Sequence, residues 1–434
     1  MSGVKGEHIE QDLGDRPCDV VVIGAGAAGL VAALRAAELG KRTVLLEKNK
    51  QAGVKILMSG GTRCNITQNT DNRGIIKAYG TPGRFLHSAL AAHSVQDSIA
   101  MFEDEGVKTY IEDTGKIFPE SDRAIDVRNA LVARLKRSGA KLVLQTSVER
   151  IEQLVRVDKI ESHPEKDRRF RIITDQGEWL ANSIILATGG QSFPGCGTTG
   201  DGYRFAAELG HTIIPPRPAL VPITTNAAWV LDLKGITLPS VTVTILEEGR
   251  PLTSRRSSLL FAHFGLTGPA ALDVSRVVSG HSQPSSLVAE IDLLPDDKEP
   301  QLLEWIKVEA TALGKKQLVG ILAMRIPRRI AEIILEIAQI PPDRKLAELS
   351  KDERQRIPRL LKHLAIPLSG TLGFKKAEVT AGGVPLNEVD SSTMESKLVP
   401  GFFLAGEVLD LDGPIGGYNF QAAWSTGWLA GTCA

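Results

Sequence analysis

The sequence has few cysteines, no excess charge of either sign and no long apolar run. Only 4 of the 434 residues are cysteine, and their wide spacing matches neither a CxxC pair nor the disulfide framework of a small secreted protein. No stretch approaches the roughly 18 consecutive apolar residues of a membrane-spanning helix, and the first 16 residues lack the apolar core of a signal peptide. We therefore expect a cytoplasmic protein with reduced thiols, no membrane partner and no metal site.

The missing charge excess bears on the partners of the protein. Lysine and arginine total 51 residues, and aspartate and glutamate also total 51. This balance argues against nucleic acid as the main partner, so we expect a small-molecule substrate instead. The oligomeric state stays open. A chain of 434 residues exceeds the roughly 250 to 300 residues that one hydrophobic core usually serves, which predicts at least two domains.

The first part of the chain predicts a strand, a glycine turn, a helix and a second strand. An apolar run ends at Ile23, the turn Gly24-Ala25-Gly26-Ala27-Ala28-Gly29 follows, and an alanine-rich helix extends to Leu39. A second apolar strand at residues 43–46 ends at Glu47. A glycine triplet alone can arise by chance, but this order of elements is typical of a dinucleotide-binding Rossmann unit.

Each glycine of this turn has a role that a side chain would obstruct. Gly24 permits the tight bend, Gly26 lets a diphosphate approach the backbone, and Gly29 lets the helix pack on the strand. The N-terminus of the helix offers amide hydrogens and a positive dipole end to the phosphates. Glu47 is placed to accept hydrogen bonds from the ribose hydroxyls and would repel a 2′-phosphate, which favours FAD or NAD over NADP.

Two later segments have the composition of loops along a bound cofactor. In residues 48–67, Lys55 and Arg63 could lie near the diphosphate, and the backbone of residues 59–61 could face a flat ring. An ordinary surface loop is the alternative. Residues 183–187 predict a strand that runs into Thr188-Gly189-Gly190, where the carboxyl end of a sheet meets a ligand.

A second GxGxxG pattern occurs at residues 195–202. It would suggest a second nucleotide site for NADH, but the preceding strand ends too early, at Ala187, and no acid closes a following strand. We therefore predict no second nucleotide site there. The segment Pro215-Pro216-Arg217-Pro218 then interrupts the pattern and predicts a domain boundary.

The last part of the chain is again rich in glycine. A strand at residues 402–405 leads to Gly406-Glu407, and Gly416-Gly417 opens a helix that contains Trp424 and Trp428. The N-terminus of this helix can stabilise the negative charge that a reduced flavin acquires. The alternative, a plain C-terminal helix, would not need glycine doublets.

Four motifs identify a family, at residues 59–65, 261–269, 405–410 and 413–421. With them the chain resembles the bacterial NAD(P)/FAD-dependent oxidoreductases, also labelled aminoacetone oxidase family FAD-binding enzymes. This family includes a bile-acid-operon flavoprotein reductase and is distantly related to the fumarate reductase flavoproteins. The present sequence has Thr62 and Ala262 where the family commonly has glycine and a hydroxyl residue.

The resemblance implies an α/β fold in which a discontinuous Rossmann-like FAD-binding domain carries an inserted β-barrel plus helical domain. We predict the first part of the FAD domain at residues 1–211, the insert at 212–366 and the second part at 367–434. FAD would extend from Glu47 to a flavin held between the early and the terminal glycine-rich loops. The predicted cofactor-binding residues are Gly24, Gly26, Ala27, Ala28, Gly29, Glu47, Lys48, Lys55, Ser59, Gly60, Gly61, Arg63, Cys64, Asn65, Val148, Thr188, Gly189, Gly190, Gly406, Glu407, Gly416, Gly417, Tyr418 and Asn419.

The predicted function is that of an FAD-dependent oxidoreductase that transfers hydride between a small organic substrate and flavin N5. We favour a reductase that uses NADH or NADPH as a transient electron donor without a separate nicotinamide domain. The alternatives are an oxygen-using amine oxidase of the aminoacetone oxidase type and a non-catalytic flavin-binding redox sensor. His263 is the candidate catalytic proton donor, although a structural histidine is the alternative. For Cys64 we favour a small buried residue over a reactive thiolate.

Overall fold

The computed structural model describes residues 18–154 and 169–434. Its strands are β1 (Cys18–Ile23), β2 (Thr43–Leu46), β3 (Thr67–Gln68), β4 (Thr109–Ile111), β5 (Lys116–Pro119), β6 (Lys141–Val143), β7 (Val148–Gln153), β8 (Phe170–Thr174), β9 (Gly177–Leu186), β10 (Ile214–Ala219), β11 (Ile223–Thr224), β12 (Thr237–Glu247), β13 (Arg250–Ala262), β14 (Gly265–Thr267), β15 (Leu287–Asp292), β16 (Leu364–Pro367), β17 (Gly370–Thr371), β18 (Val379–Gly383) and β19 (Phe402–Leu404).

The helices of the described residues follow in the same chain order. They are α1 (Ala27–Glu38), α2 (Val54–Met58), α3 (Asn72–Tyr79), α4 (His87–Ala92), α5 (Val95–Glu103), α6 (Ala124–Arg137), α7 (Asp201–Glu208), α8 (Ala228–Asp232), α9 (Pro269–Gly280), α10 (Glu299–Leu313), α11 (Leu318–Leu322), α12 (Arg328–Ile337), α13 (Lys351–Lys362) and α14 (Tyr418–Cys433). None of them is long and apolar enough to cross a membrane.

The first sheet brings the predicted nucleotide-binding elements to one edge. Its strands run in the order β6-β2-β1-β9-β8-β7, and β19 also pairs with β9. Strands β6, β2, β1, β9 and β19 are parallel, so their carboxyl ends meet on the same side. The glycine turn after β1, Glu47 after β2, Thr188 after β9 and Gly406 after β19 therefore lie together at this edge.

A second sheet lies between the strands of the first in sequence. Its order is β16-β15-β12-β13-β14-β11-β17, with antiparallel pairs throughout. The helices from α8 to α13 share one hydrophobic core with it. The fold class is thus confirmed as an α/β chain with a Rossmann-like FAD-binding domain and an additional sheet domain. The domain boundaries at 211/212 and 366/367 stay predictions.

The proline-rich segment expected to interrupt the pattern is itself a strand. Residues Ile214–Ala219 form β10, which pairs antiparallel with β18, and the register shifts between Ile214 and Arg217. The irregularity falls on Pro215 and Pro216, which cannot donate to a ladder, and so the strand accommodates them. This two-stranded sheet contributes residues to a small apolar cluster that includes Leu220 and Leu272.

Helices α1 and α14, near opposite ends of the chain, pack with their backbones close together. A Cβ added at Gly427 would lie 2.4 Å from the carbonyl oxygen of Ala28, and one at Gly431 would lie 2.3 Å from that of Ala32. Only glycine fits at such distances. This contact places the N-termini of both helices beside the carboxyl edge of the first sheet.

Candidate functional site

A cavity of about 830 Å³ opens at the carboxyl edge of the first sheet. Most of the predicted cofactor-binding residues line it, although they come from distant parts of the chain. They are Gly24, Gly26, Ala27, Ala28, Glu47, Lys48, Lys55, Ser59, Gly60, Gly61, Arg63, Asn65, Val148, Thr188, Gly189, Gly406, Glu407, Gly416, Gly417 and Asn419.

The three glycines of the first turn have different surroundings, which agree with their predicted roles. Gly24 has φ +97°, and a Cβ there would lie 2.7 Å from the oxygen of Ala187. A Cβ at Gly29 would lie 1.8 Å from the oxygen of Gly24, so this glycine serves the packing of helix on strand. A Cβ at Gly26 would meet no protein atom within 4 Å and would instead occupy the cavity. The space above Gly26 fits a diphosphate held against the backbone.

Helix α1 begins at Ala27 with an N-terminus that faces the same cavity. Gly26 is its N-cap, no side chain caps it, and its first turn holds no acidic residue. The amide hydrogens of this turn and the positive end of the helix dipole are therefore available to an anion. These features fit the diphosphate of FAD.

Glu47 is held in one orientation at the end of β2. Its side chain is buried, Oε2 accepts a hydrogen bond from the Ala25 amide at 2.8 Å, and Oε1 accepts one from the Asn49 amide at 2.8 Å. Each carboxylate oxygen keeps a second lone pair. Glu47 can thus accept ribose hydroxyls, as the sequence predicts.

Lys48 and Lys55 line the cavity and also form ion pairs with protein carboxylates. Lys48 lies 2.5 Å from the carboxylate of Asp201. Lys55 lies 2.6 Å from that of Glu407 and also donates to Ser192 at 3.0 Å. Their charges are therefore largely neutralised by protein carboxylates. A direct role for Lys55 at the diphosphate stays a prediction.

The loop after α2 turns by a run of left-handed residues. Gly60, Gly61, Thr62 and Cys64 have φ of +56°, +67°, +72° and +62°. Gly60 and Gly61 expose their backbones to the cavity, as a loop lying against a flat ring requires. Arg63 projects its guanidinium over the ring of Phe118, 3.9 Å from the ring centre.

The early and the terminal glycine-rich loops adjoin each other. When the Asn65 amide is oriented with its oxygen toward Gly417, it accepts the Gly417 amide at 2.9 Å and donates to the Thr67 oxygen at 2.9 Å. A Cβ on Gly417, where φ is +91°, would lie 2.5 Å from the carbonyl carbon of Thr67. Helix α14 starts directly after Gly417, so its N-terminus also faces the cavity.

Five predicted residues, all within the described part of the chain, lie away from the cavity lining. Gly29 packs on Gly24, and a Cβ at Gly190 would lie 2.4 Å from the Thr380 hydroxyl. Cys64 is fully buried, and burial raises the pKa of its thiol to about 12, which agrees with a structural residue. The last two are His263 and Tyr418, which is the first residue of α14.

His263 is exposed after β13, and its ring stands edge-on to Phe264 at 4.9 Å between ring centres. The structure thus groups it with a neighbouring ring and not with the cavity lining. Its role as proton donor stays a prediction.

Sequence reasoning missed several residues that line the cavity. Lys116 and Phe118 on β5 and Lys376 and Glu378 before β18 are among them. No glycine pattern marks these positions, because a side chain can face a ligand from any strand end. The nearest signal was the glycine-rich strand β18 that Glu378 precedes.

The second GxGxxG segment lies beside the first glycine turn. Residues 196–199 and Asp201 line the same cavity as the first glycine turn. Asp201 is paired there with Lys48, which follows Glu47. The absence of a second nucleotide site stays a prediction.

Comparison with known proteins places the chain in a family. Residues 18–433 match the family described as HI0933-like protein Rossmann domain. The Ribosomal RNA dihydrouridine synthase of Haemophilus influenzae is 36% identical over 94% of this chain and 96% of that protein. The 3-dehydro-bile acid delta(4,6)-reductase of Clostridium scindens is 28% identical over 95% of this chain and 98% of that protein.

A solved structure of a flavocytochrome c3 fumarate reductase in an open conformation superposes with a TM-score of 0.45. The identity is 17%, over 96% of this chain and 78% of that chain. The family match extends over nearly the whole described chain, and the residues around the cavity fit FAD. The chain belongs to the HI0933-like family of FAD-dependent oxidoreductases.

Proposed function

We propose that this protein is an FAD-dependent reductase that saturates a carbon–carbon double bond conjugated to a carbonyl, and that its substrate is a uridine of ribosomal RNA. The observation that supports the reaction class is the cavity, whose lining fits FAD and also includes acidic and basic side chains that form no ion pair within the described residues. Bound and reduced FAD would supply hydride. The RNA substrate is supported by the relative at 36% identity, which is named a Ribosomal RNA dihydrouridine synthase.

Both relatives carry names that describe the same type of bond. Dihydrouridine differs from uridine by two hydrogens on a double bond conjugated to a carbonyl, and a 3-dehydro-bile acid with Δ4,6 unsaturation contains a conjugated enone. Hydride addition to such a bond puts negative charge on the carbonyl oxygen. A second negative charge develops on the flavin ring when it is reduced. The N-terminus of α14, after Gly417, offers a positive dipole end that can stabilise this charge.

The cavity also offers cations for an anionic substrate. Lys116 is half-buried and Lys376 is exposed, and both line the cavity. Neither ammonium group forms a hydrogen bond or ion pair with the described part of the chain. Phosphates that flank a target uridine could pair with them. The overall charge balance led us to expect no nucleic acid partner, and that expectation stays an untested prediction opposed to this proposal.

NADH or NADPH is the proposed electron donor. The residues that could have formed a separate nicotinamide site line the FAD cavity, so the donor would visit the substrate end and leave before the substrate binds. A ribosomal RNA substrate requires a cytoplasmic protein, which is the location expected from the composition.

A small conjugated enone is the second candidate substrate. It is supported by the relative at 28% identity, whose name specifies a bile-acid reductase. It would also agree with the expectation of a small-molecule substrate.

The test uses the FAD-loaded protein without oxygen. It is mixed with NADH or NADPH and either unmodified ribosomal RNA transcribed in vitro or a 3-keto-Δ4 steroid, and products are followed by mass spectrometry of nuclease fragments or of the steroid. Dihydrouridine at a discrete position supports the RNA proposal, and reduction of the steroid alone supports the enone. Peroxide formed from amines in air would instead identify an oxidase, and a flavin that no donor reduces would favour the redox sensor. The Gly26→Ala variant, expected to bind FAD weakly, is the control.

A further inference from the structure

Glu378 differs from the other carboxylates of the cavity. The carboxylates of Glu47, Asp201 and Glu407 each accept hydrogen bonds of 2.8 Å or less from backbone or lysine nitrogens. The side chain of Glu378 lines the same cavity and forms no hydrogen bond or ion pair with the described part of the chain. It is therefore the cavity carboxyl whose proton is not committed to a structural contact.

The backbone of Glu378 is nevertheless well anchored. Its amide donates to the oxygen of Leu220 at 3.1 Å, and its carbonyl accepts the Ser192 hydroxyl at 3.4 Å. The next residue begins β18. A fixed backbone with a free carboxyl is the arrangement that a positioned acid requires.

Glu378 lines the same cavity as the terminal glycine loop. Lys116 is among the charged groups that act on Glu378. Lys116 pairs with Gln68 in the β3–β5 ladder, and the side-chain oxygen of Gln68 lies 3.2 Å from where a Cβ of Gly416 would be. Glu378, Lys116 and Gly416 all line the cavity. Glu378 therefore shares the cavity with Gly416 of the terminal glycine loop, and Lys116 is a charge that acts on its carboxyl.

The surroundings also favour the protonated carboxyl. Solvent reaches the side chain through the cavity, but the surrounding protein desolvates it, and this raises the pKa of Glu378 above its ordinary 4.5. The charges that act on it are Lys55 from α2 and Lys116 from β5, which lower the pKa, and Asp273 from α9, which raises it. Substrate in the cavity would exclude water and desolvate the carboxyl further.

We propose that Glu378 is the proton donor of the reduction. One carbon of the substrate double bond accepts hydride from the reduced cofactor, and the other accepts the carboxyl proton of Glu378. The π bond breaks, two C–H bonds form, the cofactor is oxidised by two electrons, and the Glu378 carboxylate regains a proton from water. Lys116 stabilises this carboxylate. The inference rests on the proposed function. It assigns to Glu378 the role of proton donor that the sequence suggested for His263.

Two variants test this role. Glu378→Gln keeps the shape and removes the proton, and Glu378→Asp keeps an acid on a shorter side chain. The matched control is Glu336→Gln, on the exposed face of α12, whose side chain forms no hydrogen bond or ion pair within the described residues. We expect all three to bind FAD, and Glu336→Gln to be reduced by the nicotinamide donor at the wild-type rate.

The substrate half-reaction separates the variants. Reoxidation of the reduced protein by substrate, followed by absorbance without oxygen, should be at least about 100-fold slower in Glu378→Gln. Glu378→Asp should recover part of the rate, and Glu336→Gln should equal the wild type. The wild-type rate should fall as pH rises through the pKa of Glu378, whereas the residual Glu378→Gln rate should not follow this titration.

A second readout does not depend on activity. In FAD-free protein labelled with ¹³C at glutamate, one carboxyl should titrate above the ordinary range, and Glu378→Gln should lack it. Wild-type reoxidation in Glu378→Gln, or a raised-pKa carboxyl that persists in it, would overturn the assignment. If the wild type is reoxidised by neither the RNA nor the steroid, the proposed function itself fails, which is a distinct result.

Discussion

Thr62 holds a backbone conformation that β-branched residues rarely adopt. Its φ is +72°, it is exposed, and it does not line the cavity. A β-branched residue in the left-handed region costs about 1 to 3 kcal/mol. Because glycine itself adds only about 0.5 to 1 kcal/mol of chain entropy, Thr62→Gly should raise the free energy of unfolding by about 1 kcal/mol in urea denaturation.

The same replacement at an ordinary helical threonine should act in the opposite direction. Thr311 is exposed on α10, so Thr311→Gly should lower the free energy of unfolding by up to about 1 kcal/mol. If both variants lose stability equally, residue 62 is not strained.

His93 gives the fold an acid-sensitive site. It is buried and stacked on Trp428 at 4.7 Å between ring centres, and burial lowers its pKa from 6.5 to about 4. Asp97 raises the pKa, and Arg134 and Arg35 lower it. The unfolded chain binds the proton more tightly, so this contribution to stability is present above pH 6.5 and is lost as the pH falls toward 4.

The expected loss is about 3 kcal/mol between pH 7 and pH 4. His93→Phe keeps a ring against Trp428 but cannot titrate, so its free energy of unfolding should fall less over this range. The measurement is urea denaturation at several pH values, and only the difference between the two proteins is used. Parallel curves would show that His93 is not the group responsible.

At the scale of one element, a substitution in the glycine turn before α1 should affect cofactor binding without affecting the stability of the fold. Gly26 has φ −80°, which any residue can adopt, and its missing side chain faces only the cavity. Gly26→Ala should therefore keep the free energy of unfolding of the FAD-free protein within about 0.5 kcal/mol. Its affinity for FAD, measured by flavin fluorescence quenching, should fall at least about tenfold, since a methyl group fills the diphosphate cradle.

Gly29 provides the contrast within the same turn. A methyl group there would lie 1.8 Å from the oxygen of Gly24, so Gly29→Ala should lower stability by about 3 kcal/mol or more. A folded Gly26→Ala variant with wild-type FAD affinity would show that the diphosphate does not lie on this turn.

At the scale of the whole molecule, the contact between α1 and α14 joins an early and a late helix of the described chain. Gly427→Ala would place a methyl group 2.4 Å from the oxygen of Ala28, and we expect a loss of about 1 to 3 kcal/mol. FAD affinity should fall with it, because both helix N-termini face the cavity. Thermal unfolding followed by circular dichroism, with FAD titration, measures both effects.

The same substitution in α11, a helix that packs on the second sheet, serves as its control. Gly320 lies in α11, and a Cβ there would meet no atom within 4 Å. Gly320→Ala should therefore be neutral or stabilise by up to about 1 kcal/mol. Equal destabilisation by both variants would argue against a specific role for the α1–α14 contact.

The sequence by itself determined the FAD-binding unit, because a strand, Gly24, Gly26, Gly29 and Glu47 lie within one short segment. Chain connectivity and glycine's backbone freedom place such neighbours almost independently of the rest of the protein. The family resemblance extended this to the terminal glycine loop. The strand formed by the proline-rich segment was not predictable, because its partner β18 lies far away in sequence.

Only the tertiary structure decided which side chains surround the proposed substrate site. Lys116 on β5 and Glu378 before β18 are distant in sequence, and folding brings both to the lining of one cavity. His263 has suitable proton chemistry in the sequence but is exposed away from the cavity lining. Residue type states which groups can carry a proton, whereas burial and proximity, which arise from contacts between distant segments, determine which group does so.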